Sequence, residues 1–493
     1  MINSNQKNIV IMNLFWKFIE RMGVQGIQFI VQIVLARILL PQDYGLISLV
    51  TIFIAIANVF VQSGFNTALI QKKDADEVDF SSVFYLSLGV ATIIYIIIFV
   101  GSPLVSVFYN EPELTKILRV LAITLFFGAF NSIQNAVVAK RMQFKKLFFS
   151  SLGASLISGI IGIILAYLEF GVWALVFQQI FSQVSITIIL WFTVKWRPMI
   201  VFSIERVKGL FNYGSKILAS SLIDTIYMNL RSLVIGKIYT REVLGIYNRG
   251  EQFPQVIVNN INGSIQSVML PTLSSEQDNK EKIKSMVRRS IVTSSFIIFP
   301  ALVGLSAMAE PVVRLLLTDK WLPCVPFLQI FCFIYALMPI HTANLQAINA
   351  IGRSDIFLKL EIYKKVIGII ILIITIPYGI YAIAWGSLVG SILSSFINAY
   401  PNLKLINYSY KEQLQDVIPS FVISIIMGVI VYSINLLHMN ILLTLIMQII
   451  VGISVYITIS YMFKLECFCY LINIMKDLLN NKKQSEVKMN KEF

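Results

Sequence analysis

The stretch VLARILLPQDYGLISLVTIF, from Val34 to Phe53, returns in a weaker form as VIGKIYTREVLGIYNRGEQF, from Val234 to Phe253. Both copies contain a glycine at the same place, Gly45 and Gly245, which sets their offset at 200 residues. Two more pairs match in the same order at offsets of 212 and 208: IQNAVVAKR (133–141) with LQAINAIGR (345–353), and FGVWALVF (170–177) with YGIYAIAW (378–385). Three ordered matches at similar offsets predict a duplicated unit of about 200 residues.

The composition indicates the class of protein in which this duplication occurs. The 493 residues are 57% hydrophobic and 13% charged, and the mean hydropathy is +0.77. A soluble globular protein is much less apolar, so the chain is predicted to be a polytopic membrane protein. The four cysteines lack the spacing of a disulfide framework or a zinc site. No metal or other cofactor is therefore expected.

The apolar segments predict how often the chain crosses the membrane. A helix needs about 20 residues to cross a hydrocarbon core of roughly 30 Å, and about fourteen such segments follow one another. They are too long and too evenly apolar for the alternating strands of a barrel. Segments seven and eight are the least apolar. The predicted spans are 11–39, 43–66, 82–108, 117–139, 147–168, 172–194, 210–239, 243–273, 288–316, 323–350, 359–377, 380–403, 414–436 and 440–463.

Lysine and arginine in the short turns predict the orientation. The turns after the even-numbered spans are rich in these residues, and the opposite turns are poor in them. Basic turns mark the cytoplasmic side, so both termini are predicted to be cytoplasmic. The net charge of +14 is then a topology signal that requires no nucleic-acid partner. The basic turns contain Lys72 and Lys73; Lys140, Arg141, Lys145 and Lys146; Lys195, Arg197, Arg206 and Lys208; Lys280, Lys282, Lys284, Arg288 and Arg289; Arg353 and Lys359; and Lys404 and Lys411.

The duplication and the spans together predict the architecture. Each repeat contains six spans, and an even number places both repeats in the same orientation, related by an axis along the membrane normal. The expected fold is all-α, with two parallel six-helix lobes around a central cleft and two extra C-terminal helices. The predicted boundaries are 1–208 for the first lobe, 209–406 for the second, 407–463 for the extra helices and 464–493 for a basic cytoplasmic tail.

Ionisable residues inside the predicted spans are the candidate site. On insertion scales each costs about 2.5–3.5 kcal/mol at mid-membrane, so such residues usually face water or a partner. Helix one and helix seven each carry a polar stripe at steps of three and four. The stripes consist of Lys17, Arg21, Gln25, Gln28 and Gln32 in helix one, and Lys216, Ser220, Asp224, Tyr227 and Arg231 in helix seven. The predicted substrate-binding residues are Arg21, Arg231, Arg249 and Lys17, and the predicted coupling or pairing residues are Glu20, Asp224 and Glu251.

These residues also allow structural interpretations. Lys17 and Glu20 are three apart and so form an ion pair as readily as a cargo contact, and Lys17 is also placed to snorkel to the headgroups. Asp224 suits pairing with a cation on a neighbouring helix better than a proton or cation relay. Arg21, Arg231 and Arg249 are the stronger candidates, because a guanidinium group grips phosphate oxygens in a bidentate manner.

The duplicated motifs resemble a known family. LARILLPQDYG (Leu35–Gly45) and LGIYNR (Leu244–Arg249), within two six-helix repeats and a terminal helix pair, are similar to the polysaccharide-exporter branch of the MOP flippase superfamily. Its Wzx-type and teichuronic-acid or colanic-acid export proteins are the most similar by pattern. The resemblance extends to about residue 463. It implies a transporter that moves polyprenyl-pyrophosphate-linked saccharides across a bacterial plasma membrane by alternating access, in contact with membrane lipids. It leaves open whether a polysaccharide polymerase is a partner.

The same features bear on other functional classes. The chain has no GxxxxGK sequence followed by Ser or Thr, so nucleotide-driven transport is not expected. The turns on the outer side are only a few residues long, which argues against a membrane enzyme with a catalytic outer loop. A MATE-like drug or cation exporter remains an alternative. The cleft of such a protein should contain unpaired carboxylates, whereas the residues predicted to line this cleft are mainly cationic. A scaffold for polysaccharide assembly that does not itself transport is the second alternative.

Overall fold

The computed structural model describes the backbone of residues 4–62, 64–72, 74–276, 279–470 and 472, and all regular structure in these residues is helical. The α-helices are α1 (Ser4–Ile38), α2 (Pro41–Gln62), α3 (Phe65–Gln71), α4 (Glu77–Tyr109), α5 (Glu113–Leu121), α6 (Thr124–Lys140), α7 (Phe144–Tyr167), α8 (Val172–Thr193), α9 (Ile204–Ile238), α10 (Arg241–Ser274), α11 (Lys280–Ala307), α12 (Ala309–Leu317), α13 (Val325–Ala336), α14 (Met338–Ala350), α15 (Ser354–Thr375), α16 (Ile380–Leu405), α17 (Tyr410–Ser433) and α18 (Ile441–Met462).

Eleven helical segments of the described chain are long and apolar enough to cross a membrane. The chain is therefore a multi-pass membrane protein, and the predicted all-α class is confirmed. The other three predicted spans fall on α9, α10 and α15, which are helices of 35, 34 and 22 residues with more polar sequences. In α15 the polarity comes from Lys359, Glu361, Lys364 and Lys365. The count of fourteen spans stays a prediction.

Three spans that the sequence predicts as single helices are broken. Segment 117–139 is divided between α5 and α6, segment 288–316 between α11 and α12, and segment 323–350 between a 3₁₀ turn, α13 and α14. Pro311, Pro326 and Pro339 lie near the starts of α12, α13 and α14, where a missing backbone N–H costs least. The α5–α6 break lies in the span that corresponds to the α13–α14 span of the other repeat.

The described chain forms two compact units, Met1–Asn248 and Arg249–Phe493. In the first unit, α1 packs along α7, and α9 packs along α2, α3 and α4. A Cβ added at Gly23 would lie 3.1 Å from Leu152, and a Cβ added at Gly159 would lie 2.5 Å from Val31. Residue numbers rise in the same direction along both helices, so α1 and α7 run parallel. This direction agrees with spans one and five crossing the same way. The lobe boundary between 208 and 209 rests on the duplication and stays a prediction.

In the second unit, α11 packs against α17, α13 and α14, while α16 packs against α13, α14 and α15. The predicted C-terminal helix pair corresponds to α17 and α18. It is attached to α11 by the Tyr456 hydroxyl, which donates to the Phe296 carbonyl at 2.9 Å. The start of the predicted tail is also held, because Glu466 pairs with Arg288 at 2.9 Å and Cys467 is buried. Residues 471 and 473–493 of that tail lie outside the described residues.

Candidate functional site

The depth of α9 follows from its contacts with α2. Segment Pro41–Gln71, which begins with α2, is long and apolar enough to span a membrane. Near one end, a Cβ at Gly64 would lie 2.2 Å from the Gly214 carbonyl oxygen. Near the other end, a Cβ at Gly236 would lie 2.4 Å from Leu49. The two helices are therefore antiparallel and in contact along most of their length, which places α9 at membrane depth.

The predicted polar stripe of α9 lies between these two contacts. At 1.5 Å of rise per residue, Asp224 is about 15 Å along the helix from Gly214 and about 18 Å from Gly236. Asp224 therefore lies near the middle of the crossing. Lys216, Ser220 and Asp224 are exposed, whereas Tyr227 and Arg231 are partly buried. Because a charged side chain at this depth is costly in hydrocarbon, this face of α9 requires water or polar groups beside it.

The polar residues of α1 have different neighbours. Arg21 is exposed near the start of the candidate span Ile19–Ile38. Glu20 is partly buried and accepts a hydrogen bond from the Ser151 hydroxyl of α7 at 2.9 Å. The Lys17 side chain lies outside the described residues, so its predicted pairing with Glu20 stays a prediction. The two predicted stripes, on α1 and α9, lie on helices that pack against different neighbours. Helix α1 packs along α7, whereas α9 packs along α2, α3 and α4.

The predicted residues of α10 are held in packed contacts of the second unit. Arg249 is only 5% exposed, and its guanidinium lies 5.0 Å from the ring centre of Trp321, which is fully buried. The same group donates to the Gln252 side chain at 2.6 Å. Glu251 accepts a hydrogen bond from the Tyr335 hydroxyl at 3.0 Å. A cargo contact at Arg249 therefore requires this guanidinium to become uncovered.

The structure also contains an ionic cluster that the sequence reasoning missed, between α3 and the start of α9. Asp79 is completely buried and binds the Lys72 ammonium at 2.6 Å, and Arg206 contacts Asp76 at 3.2 Å. Asp76 and Asp79 also form a capping box at the start of α4. The Asp79 backbone N–H donates to Asp76 and, with nearby Arg206, lowers the pKa of the Asp76 carboxyl below its usual value.

The spacing of two aspartates three residues apart, directly before an apolar run, was the signal for this cluster. In the sequence, Lys72 and Arg206 stand out only as basic residues of the turns that mark the cytoplasmic side. Beside the cluster is an open cavity of about 540 Å³. It is lined by Ala68, Gln71, Lys72, Glu205, Arg206, Gly209, Leu210 and Tyr213. Among the described residues, no group of three histidine, cysteine or acidic side chains is arranged to hold a metal ion.

A comparison with known protein families shows which family the chain belongs to. The family described as "Polysaccharide biosynthesis protein" matches residues 34–326, more than half of the chain, beginning at the first residue of the duplicated stretch. The chain belongs to the polysaccharide biosynthesis protein family. This membership confirms the resemblance inferred from the LARILLPQDYG and LGIYNR motifs.

Named relatives of this polysaccharide biosynthesis family member cover most of the chain. The teichuronic acid biosynthesis protein TuaB of Bacillus subtilis is 24% identical over 77% of this chain and 79% of its own length. The lipopolysaccharide biosynthesis protein WzxC of Escherichia coli is 24% identical over 84% of this chain and 87% of its own length.

Solved structures show the same fold at low sequence identity. A lipid II flippase, MurJ, in an inward closed conformation aligns with a TM-score of 0.73 and 17% identity, covering 92% of this chain and 98% of that one. A multidrug resistance MATE family transporter of the MOP superfamily aligns with a TM-score of 0.60 and 19% identity, covering 78% and 96%. Both similarities support the predicted architecture, and neither identifies the cargo.

Proposed function

We propose that this protein is a flippase that moves lipid-linked saccharide precursors across the bacterial plasma membrane. The observation that carries this proposal is the exposed, charged face of α9, with Lys216, Asp224 and partly buried Arg231 at membrane depth. Membership of a polysaccharide biosynthesis family explains why a membrane protein keeps such a costly face. Relatives named for teichuronic acid and lipopolysaccharide biosynthesis support a saccharide cargo.

Arg21 and Arg231, with Lys17 and Arg249, are the proposed contacts for the carrier's pyrophosphate. Guanidinium groups suit this role because they form paired, charge-assisted hydrogen bonds with phosphate oxygens. Arg21 lies near the start of the candidate span Ile19–Ile38, at the end that the basic turns predict to be cytoplasmic. Cargo would therefore meet Arg21 first and Arg231 later. The saccharide would occupy the polar face of α9, and the polyprenyl tail would stay in lipid.

The proposed transport cycle is non-covalent and involves no enzymatic step. The polar face would open to each side of the membrane in turn, as in alternating access. Glu20, Asp224 and Glu251 are the proposed coupling or pairing residues. Of these, Asp224 is the carboxylate whose side chain is exposed at mid-depth.

A MATE-like exporter of small cations is the second candidate function. The similarity to a MATE transporter fold and the exposed Asp224 carboxylate favour it. The two candidates differ in the charge of the cargo. Neutralising Arg231 should impair transport of a pyrophosphate carrier, whereas neutralising Asp224 should impair export of a cation.

The test is transport of a fluorescent polyprenyl-pyrophosphate oligosaccharide in proteoliposomes that contain matched amounts of protein. A hydrogen bond to a charged group contributes about 1.5–3 kcal/mol, so Arg21→Ala and Arg231→Ala should each slow transport about 10- to 150-fold. Arg314→Ala is the matched control, because Arg314 is 41% exposed and pairs with Glu310 and Asp319. Arg249→Ala also removes the packing on Trp321, so Arg249→Lys should accompany it.

Full transport by the Arg21 and Arg231 variants, at the rate of the Arg314 control, would overturn the site assignment. Absence of saccharide transport by the wild-type protein, together with export of small cations that requires Asp224, would replace the flippase proposal by the MATE-like alternative.

A further inference from the structure

We propose that the two copies of the duplicated stretch form one gate, in which the α1–α2 turn and the α9–α10 turn close directly on each other. This inference rests on the proposed function, because a transporter must seal one end of its polar face while the other end is open. The basic turns place this gate on the outer side of the membrane. All the residues involved lie within the first compact unit.

The two matching glycines are the centre of the contact. A Cβ at Gly45 would lie 1.6 Å from the Arg241 carbonyl oxygen, and a Cβ at Gly245 would lie 2.1 Å from the Pro41 carbonyl oxygen. Each copy therefore presses its glycine onto the backbone at the start of the other copy's helix. Both approaches are closer than any side chain allows, so the contact exists only because neither residue has a Cβ. The duplication thus produces a self-complementary surface.

Polar contacts from the α4–α5 turn and the two helix ends beside it hold the α9–α10 turn in this position. The Arg241 guanidinium lies 3.3 Å from both the Glu111 and the Glu113 carboxylates. Lys237 donates to the Phe108 carbonyl oxygen, with its ammonium 4.4 Å from the Phe108 ring centre. The Arg241, Glu113 and Lys237 side chains are partly or largely accessible. Such contacts exchange their partner for water at little cost, which suits a contact that opens repeatedly.

Leu49 lies directly beneath the glycine contact and reports whether it is closed. Leu49 is 1% exposed, and it packs against Gly236 one turn further along α2 than Gly45. Water can reach this position from the gate side only when the α9–α10 turn moves away from α2. A cysteine at position 49 should therefore react with a water-soluble thiol reagent only through the open gate.

The experiment measures labelling of Leu49→Cys by a membrane-impermeant maleimide in intact cells. The background is Cys469→Ser, because Cys469 is exposed while Cys324, Cys332 and Cys467 are buried. Leu40→Cys, at a position 47% exposed on the same turn, is the accessible reference.

Three changes to the gate are then compared with the unmodified Leu49→Cys protein. Gly45→Ala and Gly245→Ala add a single carbon that the closed contact cannot hold, and Arg241→Gln removes the ion pairs without adding a clash. We expect each glycine variant to raise the labelling rate at position 49 about tenfold or more, through a shift of population toward the open state. Arg241→Gln removes only accessible ion pairs, so it should raise the rate about two- to fivefold. Gly101→Ala is the matched control, because a Cβ there meets nothing within 4 Å, and it should leave the rate unchanged.

Labelling can be interpreted without a transport assay, so it separates the gate from the proposed function. Protection of position 49 in properly folded Gly45→Ala and Gly245→Ala proteins would overturn the gate, as would equal labelling of Leu49→Cys and Leu40→Cys in the unmodified protein. If the glycine variants do not fold, an unchanged rate in Arg241→Gln would overturn it. The expected labelling pattern in a protein that transports no saccharide would refute the flippase proposal and support the gate.

Discussion

Replacement of Asp79 by alanine should destabilise the first compact unit more than any nearby change on the surface. The Asp79 carboxylate is completely buried, binds Lys72 at 2.6 Å and accepts the Asp76 backbone N–H at 3.1 Å. Arg206 lies 3.7 Å from its other oxygen. Removing one member of a buried ion pair typically costs 3–5 kcal/mol, because the partner charge is left uncompensated.

The expected cost here is lower, because the partners reach water. Lys72 and Arg206 are 31% and 43% exposed, so both cations can be partly solvated after the change. We therefore expect Asp79→Ala to lower the free energy of unfolding by about 2–3 kcal/mol. For a unit the size of Met1–Asn248, this corresponds to a fall in Tm of about 4–6 °C. Asp79→Asn keeps an oxygen for the Asp76 N–H and should cause roughly half of this fall.

The assay is thermal unfolding of detergent-purified protein, followed by the fraction that remains monodisperse. Asp74→Ala is the matched control, because Asp74 is an exposed aspartate in the same short segment. Equal Tm values for Asp79→Ala and Asp74→Ala would refute the reasoning that the buried carboxylate holds the α3–α4 junction to α9. A Tm for Asp79→Asn as low as that for Asp79→Ala would show that charge, rather than the hydrogen bond, accounts for the whole effect.

Two further predictions concern the second unit. Asn344→Leu should lower the free energy of unfolding by about 3 kcal/mol, because the buried Asn402 and Gln413 amides would both lose the oxygen that they share at 2.7 and 3.0 Å; an unchanged Tm would contradict this. The Arg353 guanidinium lowers the pKa of the Asp355 carboxyl to about 2 in the folded protein. The stability that this pair adds is therefore complete above about pH 4 and is lost as the pH falls from there through about 2. The Tm difference between wild type and Arg353→Gln should therefore be equal at pH 7 and pH 5, and a difference that shrinks between these values would disprove the assignment.

The membrane class and the helical fold were predictable because hydrocarbon imposes simple requirements. A crossing segment must satisfy its own backbone hydrogen bonds and must be about 20 residues long, so composition and segment length are enough to find it. The same reasoning explains why α9 and α10 carry the least apolar predicted spans, and why α15 is also absent from the eleven apolar segments. Their charges break the apolar pattern, and only contacts with a neighbour, such as Gly214 with Gly64, show that α9 lies at membrane depth.

The candidate site was only partly predictable. The spacing of Lys216, Asp224 and Arg231 was enough to place them on one face of a helix, because a regular helix brings residues three or four apart together. The spacing could not predict the burial of Arg249, because Trp321, the ring that packs on its guanidinium, is 72 residues away in the chain. The pairing of Asp79 with Lys72 and Arg206 was not predictable either. Lysine and arginine residues in turns also mark the cytoplasmic side, so their presence does not indicate an ion pair.

The amino-acid sequence by itself determined that this chain is a helical membrane protein of the polysaccharide biosynthesis family, because these properties depend on local composition and on short motifs. The contact between Gly45 and the α9–α10 turn, the burial of Arg249 and the pairing of Asp79 exist only in the folded molecule. They depend on which backbones and side chains approach each other across long separations in the chain. Such approaches are set by the packing of many helices at once, and no short pattern encodes them.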